Sequence, residues 1–169
     1  MGGSGAGNVA GSGAGPVRAV DPRLVPRDDD RDTGGFFQAA RRGELVVRMC
    51  NGCGALLHMP RAYCHTCGSW DGRWQSVAGT GTAYSWTVVT HQVHPFFPVP
   101  YTVVLVQLDD VPAARLVGHL PGAYPITAGQ PMRVWFETVA DGVVIPQWKP
   151  QLSSAEQPCV EGPPAESER

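Results

Sequence analysis

The sequence predicts a mainly β protein in two parts: a short N-terminal helix with a four-cysteine ribbon, then a five-stranded barrel. Three observations carry this. Two C-x-x-C-G knuckles, Cys50-Asn51-Gly52-Cys53-Gly54 and Cys64-His65-Thr66-Cys67-Gly68, lie ten residues apart. From Gly79 onward, β-rich runs alternate with turn signals and no helical period of any length appears. The first of those runs is long and carries Gly79 and Gly81, as a sharply bent first barrel strand requires.

The elements follow in order. Thr33 is placed to cap a short helix through Phe36, Phe37, Ala40 and Arg41, which Gly43 would end. Its aromatic face needs a partner element or a neighbouring protein. Glu44 to Met49 reads as a strand into the first knuckle. Ala55 to Met59 reads as a strand out of it, broken by Pro60. In the barrel, a first strand runs from Gly79 to about His91, with Tyr84, Trp86 and Val88 alternating onto one face. Thr102 to Leu108, Ala114 to His119, Met132 to Thr138 and Val143 to Trp148 are the other four. Met132, Val134 and Phe136 share a face, and Asp141-Gly142 is a hairpin turn. Five strands with a long bent first strand match an OB-fold barrel. The division is therefore 1–35 flexible linker, 36–76 helix and rubredoxin-like zinc ribbon, 77–150 OB-fold, and 151–169 disordered tail.

The cysteines are the candidate metal ligands: Cys50, Cys53, Cys64 and Cys67. Two C-x-x-C turns bring four thiolates onto one ion, the shell of a structural zinc site. Gly54 and Gly68 follow each pair, where a left-handed backbone is often needed. Disulfides are one alternative, but nothing in the sequence looks like a secretory signal, and a reducing cytosol keeps thiols free. A redox pair would need one C-x-x-C in a βαβ setting that is missing. Iron stays open, because four thiolates suit it as well. With all four positions filled by protein, the metal has no open site for catalysis. Cys159, in a Pro/Glu/Ser-rich tail, reads as a bystander thiol.

Composition narrows the classes. Net charge is −2, and Lys149 is the sole lysine among 13 basic residues. No apolar run approaches the ~18 residues of a membrane span, which points to a soluble, cytoplasmic protein. Met1 to Pro16 is mostly Gly, Ala and Ser, a tether composition that usually joins folded domains. The chain then reads as the C-terminal part of a longer polypeptide or of a fusion, with vector-derived residues as the alternative for a few positions. The segment His91 to Pro100 inserts Phe96 and Phe97 among prolines between the first two barrel strands. OB folds often place a binding loop there. Two readings stay open: a loop facing a partner or ligand, or aromatics tucked back onto the barrel.

No catalytic constellation appears. His58, His65, His91, His94 and His119 sit in no recognisable nucleophile–base arrangement, and the Gly-rich start is not a phosphate loop. An OB-fold/zinc-ribbon nucleic-acid-binding module is the alternative function. The slightly acidic chain, with aromatics not interleaved with basic residues on the barrel strands, ranks it below a protein- or acyl-CoA-directed role.

The order of motifs points to a family. An aromatic helix, Phe36-Phe37 to Leu45, precedes V-V-R-M-C-N-G-C-G and P-R-x-Y-C-H-T-C-G. G-T-G-T-A-Y-S-W-T-V-V, P-Y-T-V-V-L-V-Q-L-D and G-Q-P-M-R-V follow. This resembles the zinc-ribbon/OB-fold acyl-CoA-associated family, domain of unknown function 35, over about Phe36 to Pro150. The resemblance implies a small companion of a thiolase-like enzyme, with acyl-CoA as a ligand of the complex and the chemistry in the partner. Some members follow a MaoC-like enoyl-CoA hydratase domain in steroid side-chain degradation. There a lipid-transfer-protein-like thiolase homologue and this domain form a retro-aldolase that releases a 17-ketosteroid and propionyl-CoA. The Gly/Ser/Ala tether fits such a fusion upstream, and a dimeric partner would make a two-plus-two heterotetramer natural. The resemblance carries zinc onto Cys50, Cys53, Cys64 and Cys67 and carries over no catalytic residue. On this reading the ribbon and helix hold the partner, while the barrel and the 91–100 loop shape the acyl-CoA entrance. Electron transfer through an iron-loaded ribbon is the third reading.

Overall fold

A computed structural model describes residues 25–151. The expectations for residues 1–24 and 152–169, including the Gly/Ser/Ala tether and Cys159, lie outside the described residues. The chain forms one helix, α1 (Gly34–Arg41), and seven strands: β1 (Leu45–Cys50), β2 (Gly72–Val77), β3 (Thr80–Val89), β4 (Tyr101–Leu108), β5 (Arg115–Pro121), β6 (Pro131–Ala140) and β7 (Val143–Pro150). The predicted class is confirmed: mainly β, one short helix, a four-cysteine ribbon and an OB-like sheet.

Asp30 organises the start of α1. Its carboxylate accepts the N–H groups of Asp32 and Thr33, at 2.8 and 2.7 Å, and the Thr33 hydroxyl donates to it as well. Thr33 does occupy the cap position, but its hydroxyl makes no cap bond. Asp30 has taken it. Gly43, at φ +74°, ends the helix as expected, and Arg41 in the last turn pairs with Asp28 at 2.5 Å.

The ribbon differs from expectation in two places. The segment Ala55 to Met59 is not a strand; a single bridge, Met49 to Leu56, joins it to β1. The strand that pairs with β1 is instead β2, antiparallel from Leu45 opposite Val77 to Cys50 opposite Gly72. Its sequence, Gly-Arg-Trp-Gln-Ser-Val, is too polar to announce a strand, and only its partner supplies the pairing.

The second sheet has the order β5-β4-β3-β6-β7. Strand β3 is central because it bends. Thr80–Thr82 pair with Pro131–Arg133 of β6, and Gly81–Val89 pair with β4. Gly81 allows the second approach: a Cβ there would sit 2.4 Å from the Gln107 carbonyl oxygen. A bulge follows at Ala83–Ser85. Beyond it, Tyr84, Trp86 and Val88 are 51, 40 and 39% exposed, so that alternation does not build the core. Gly81 and Ala83 are the buried residues of β3.

The barrel closes where β5 meets β7. A Cβ on Gly118 would fall 2.8 Å from Trp148 Cδ1. The backbone N–H of His119 donates to Gln147 Oε1 at 2.8 Å, and Gln147 Nε2 donates to Glu137 Oε2 at 2.9 Å. A buried side chain thus replaces a strand ladder across the seam. Inside lie Val104, Val106, Leu108, Met132, Leu120 and Trp148, with Val134 and Phe136 packed against them. Leu45 and Val47 of β1 belong to the same core, so ribbon and barrel are joined through β1.

Candidate functional site

The two knuckles have the same backbone geometry. In the first, Cys50 N–H donates to the Ala55 carbonyl at 2.9 Å and Gly54 N–H to the Cys50 carbonyl at 3.0 Å. In the second, Cys64 N–H donates to the Ser69 carbonyl and Gly68 N–H to the Cys64 carbonyl, both at 2.8 Å. Gly54 and Gly68 lie at φ +72° and +75°, the left-handed region where a side chain would be strained. Asn51 locks one knuckle to the chain leaving the other. Its Nδ2 donates to Asp71 Oδ1 at 2.8 Å, and its Oδ1 accepts from Arg73 at 2.9 Å.

All four sulfurs lie within 4.8 Å of one another. Cys50 and Cys67 are 3.6 Å apart at Sγ, and Cys53 and Cys64 are 3.7 Å apart. These separations exclude S–S bonds of about 2.05 Å. They fit a tetrahedral shell, in which metal–sulfur bonds of about 2.3 Å put sulfurs about 3.8 Å apart. Cys50 and Cys64 are buried and Cys53 and Cys67 exposed, so the ion would sit at the ribbon tip. The Cys67 backbone N–H, with help from that of Thr66, holds the Cys64 thiol down to about 6 against its desolvation. At Cys53 the Ala55 N–H pulls down, but the Cys67 sulfur, desolvation and the other two sulfurs push that thiol up to about 12. Four sulfurs this close cannot all ionise without a cation between them, which is the chemistry a divalent metal supplies. His65 is exposed and lies outside the sulfur cluster.

The 91–100 loop folds back. The His94 ring stacks on Phe96 at 5.6 Å, and Phe97 lies 6.1 Å from Tyr101 and 6.2 Å from His119. Phe96 and Phe97 are half-buried, whereas His91 is exposed. The loop thereby walls a cleft of about 680 Å³ whose floor is Val103, Gly118 and Trp148 and whose far side is Phe36, Phe37 and Met59. The walling strands are β4, β5 and β7, so the cleft runs from the face that OB folds commonly use for binding onto the β5–β7 seam. A smaller slot of about 130 Å³ lies under α1 among Phe36, Phe37, Val47, Arg48, His58 and Met59. His58 faces it with Nε2 bonded to the Arg115 carbonyl at 2.7 Å.

Sequence reading missed Asn51 and Gln147. Neither had a signal, because their partners are distant in sequence. Arg48 is legible in the sequence as one of the arginines clustered near the ribbon (Arg41, Arg42, Arg48, Arg61 and Arg73), a face suited to the phosphates of a nucleotide-bearing ligand, but its place in the middle of β1 opposite Trp74 is not.

A closed four-sulfur ribbon leading into a five-stranded OB barrel defines a class, the zinc-ribbon/OB-fold proteins. Comparison narrows it. Residues 37–71 match the family model for the ChsH2 rubredoxin-like zinc ribbon domain, and residues 74–137 match that for the ChsH2 C-terminal OB-fold domain. This chain belongs to the ChsH2 family. It is 36% identical to a chain solved as "Ltp2-ChsH2(DUF35) aldolase", with TM-score 0.65, over 72% of this chain and 95% of that one. A DUF35-family protein of unknown function from Sulfolobus solfataricus aligns with TM-score 0.44 at 14% identity, over 59% of this chain and 74% of that one. A "Probable enoyl-CoA hydratase alpha subunit" from Thermomonospora curvata is 37% identical over 130 residues, 75% of this chain. The chain spans 40% of the length of that relative. Among the described residues no helix is long and apolar enough to cross a membrane.

Proposed function

We propose that this chain is the non-catalytic zinc-binding subunit of a thiolase-like acyl-CoA aldolase. The observation that carries the reading is its 36% identity over 95% of the chain found in an Ltp2-ChsH2 aldolase, combined with a metal shell closed by protein sulfur. The partner would be an Ltp2-like thiolase homologue in a two-plus-two assembly, in the cytoplasm. The reaction would be a redox-neutral retro-aldol cleavage of a steroid side-chain acyl-CoA. A base in the partner takes the β-hydroxyl proton and the carbinol carbon becomes a ketone. The Cα–Cβ bond breaks, its electron pair enters the thioester enolate, and protonation gives propionyl-CoA. Residues 36–76 would serve as the helix-and-ribbon unit that holds the partner. Residues 77–150, with the 91–100 loop, would shape access for the acyl-CoA. The length and name of the hydratase relative support a fused hydratase domain, which this proposal places upstream.

The test is propionyl-CoA formation from the steroid thioester. The chain alone should give no turnover, and mixing it with the thiolase homologue should restore cleavage. Robust cleavage by the isolated chain would sink the proposal.

A further inference from the structure

The slot under α1 holds a cation that has no ion pair among the described residues. Arg48 lies in mid-β1 directly opposite Trp74, with its guanidinium carbon 5.3 Å from the Trp74 ring centre. The side chain is half-buried, and its Nε is buried with no hydrogen-bond partner among the described residues. The described ion pairs join Arg27 to Asp29, Arg41 to Asp28 and Arg42 to Glu44, and none reaches Arg48. Asp30, at the helix start, is committed to Thr33 and Asp32. No carboxylate lines the slot, whose walls are Val46, Val47, Phe36, Phe37 and Met59. A guanidinium whose Nε is buried between largely apolar walls, with no ion pair among the described residues, is unfavourable in the free chain.

Its surroundings are those of an interface centre. Met59 is 69% exposed at the mouth. Phe36 and Phe37 meet edge to face at 5.3 Å and border both the slot and the larger cleft. Val117, 63% exposed, continues the apolar surface on the barrel side. Arginine, methionine and aromatic residues gathered around one pocket are what energetically dominant interface positions look like.

We infer that this slot receives an acidic side chain of the partner subunit. Its carboxylate pairs with Arg48, while an apolar surface beside it closes over Met59 and the Phe36–Phe37 edge. The inference rests on the proposed function and adds the contact that fastens the two subunits. Charge complementarity selects the occupant, because a guanidinium presents a planar fork that matches a carboxylate. A coenzyme A phosphate is the competing anion. It would bring a dianion or a diphosphate to a slot of about 130 Å³ in which Arg48 is the one arginine or lysine, His58 is already bonded through Nε2 to the Arg115 carbonyl, and most other walls are apolar.

The experiment titrates the zinc-loaded full chain against the purified thiolase-like subunit by calorimetry, as wild type, Arg48→Met and Arg48→Lys. Zinc content and the melting temperature of each isolated chain are recorded alongside. Arg48→Met should weaken the complex by about 30-fold or more, as loss of one member of a buried charge pair does. The isolated Arg48→Met chain should keep its zinc and melt no lower than wild type, because an uncompensated charge has gone. Arg48→Lys keeps the charge, loses the fork and should fall between the two. Undiminished binding by Arg48→Met overturns the inference. Weaker binding accompanied by lost zinc or a lower melting temperature overturns it too, by making Arg48 a folding residue. Coenzyme A binding to the isolated wild-type chain that Arg48→Met abolishes overturns it in favour of a small-anion site. If the wild-type chain fails to bind the thiolase-like subunit, the proposed function falls and the inference with it. Wild-type binding with Arg48→Met unchanged removes the inference alone.

Discussion

Ribbon and barrel are held by different physics. The buried cluster at the ribbon tip is Cys50, Leu57 and Cys64, with Ala55 against it, and two of those residues are candidate metal ligands. The barrel is filled by large apolar side chains, with Trp148, Leu108 and Met132 fully enclosed. A cluster as small as the ribbon's cannot offset the conformational entropy of ordering two knuckles, whereas the barrel's core can. The two meet at β1, which sends Leu45 and Val47 into the barrel core and Cys50 into the metal shell. The ribbon base should therefore persist when its tip does not.

Removing the metal breaks the comparison most sharply. A structural site of this kind contributes apparent binding energy of about 10–16 kcal/mol. Chelation, or Cys64→Ser, should erase amide-exchange protection across the two knuckles while β4, β5 and β7 keep theirs. Retained knuckle protection in the metal-free chain would show that the ribbon stands on packing after all. The opposite perturbation is Trp148→Ala, which empties the centre of the barrel beneath Gly118. It should cost about 3–5 kcal/mol in thermal or denaturant unfolding. The zinc stoichiometry of the folded variant should stay at one. The smallest effect is expected at Asn51→Ala, which removes two bonds that tie the first knuckle to Asp71 and Arg73. A loss of about 1–2 kcal/mol is expected, because these bonds are exposed. It should appear as faster zinc release to a chelator with an unchanged barrel melting transition. A slowed or equal release would show that Asn51 does not brace the site.

Much of this was legible in one dimension where the signal is local. Cys50, Cys53, Cys64 and Cys67 announce their convergence because each pair needs only a short turn to aim two sulfurs at one point. The glycine after each pair marks the left-handed residue of that turn. The barrel strands were legible from turn residues between apolar runs. Strand β2 was not, because Gly72–Val77 becomes a strand only through β1. The segment Ala55–Met59 looked like a strand, but the first knuckle turns it away after one bridge. The loop from His91 to Pro100 showed its aromatics but not their direction, which depends on Tyr101 and His119 waiting behind it.

The sequence by itself determined the fold class and the four-cysteine pattern, since both are written in spacing and local turn chemistry, and the order of its motifs carried the resemblance to the family. Only the tertiary structure decided which surfaces are available for function. The seam closed by Gln147, the cleft walled by Phe97 and the slot holding Arg48, which has no ion pair among the described residues, each join residues from elements far apart in the chain. Whether a charge has a counter-ion is a property of everything packed around it, and no local pattern records that.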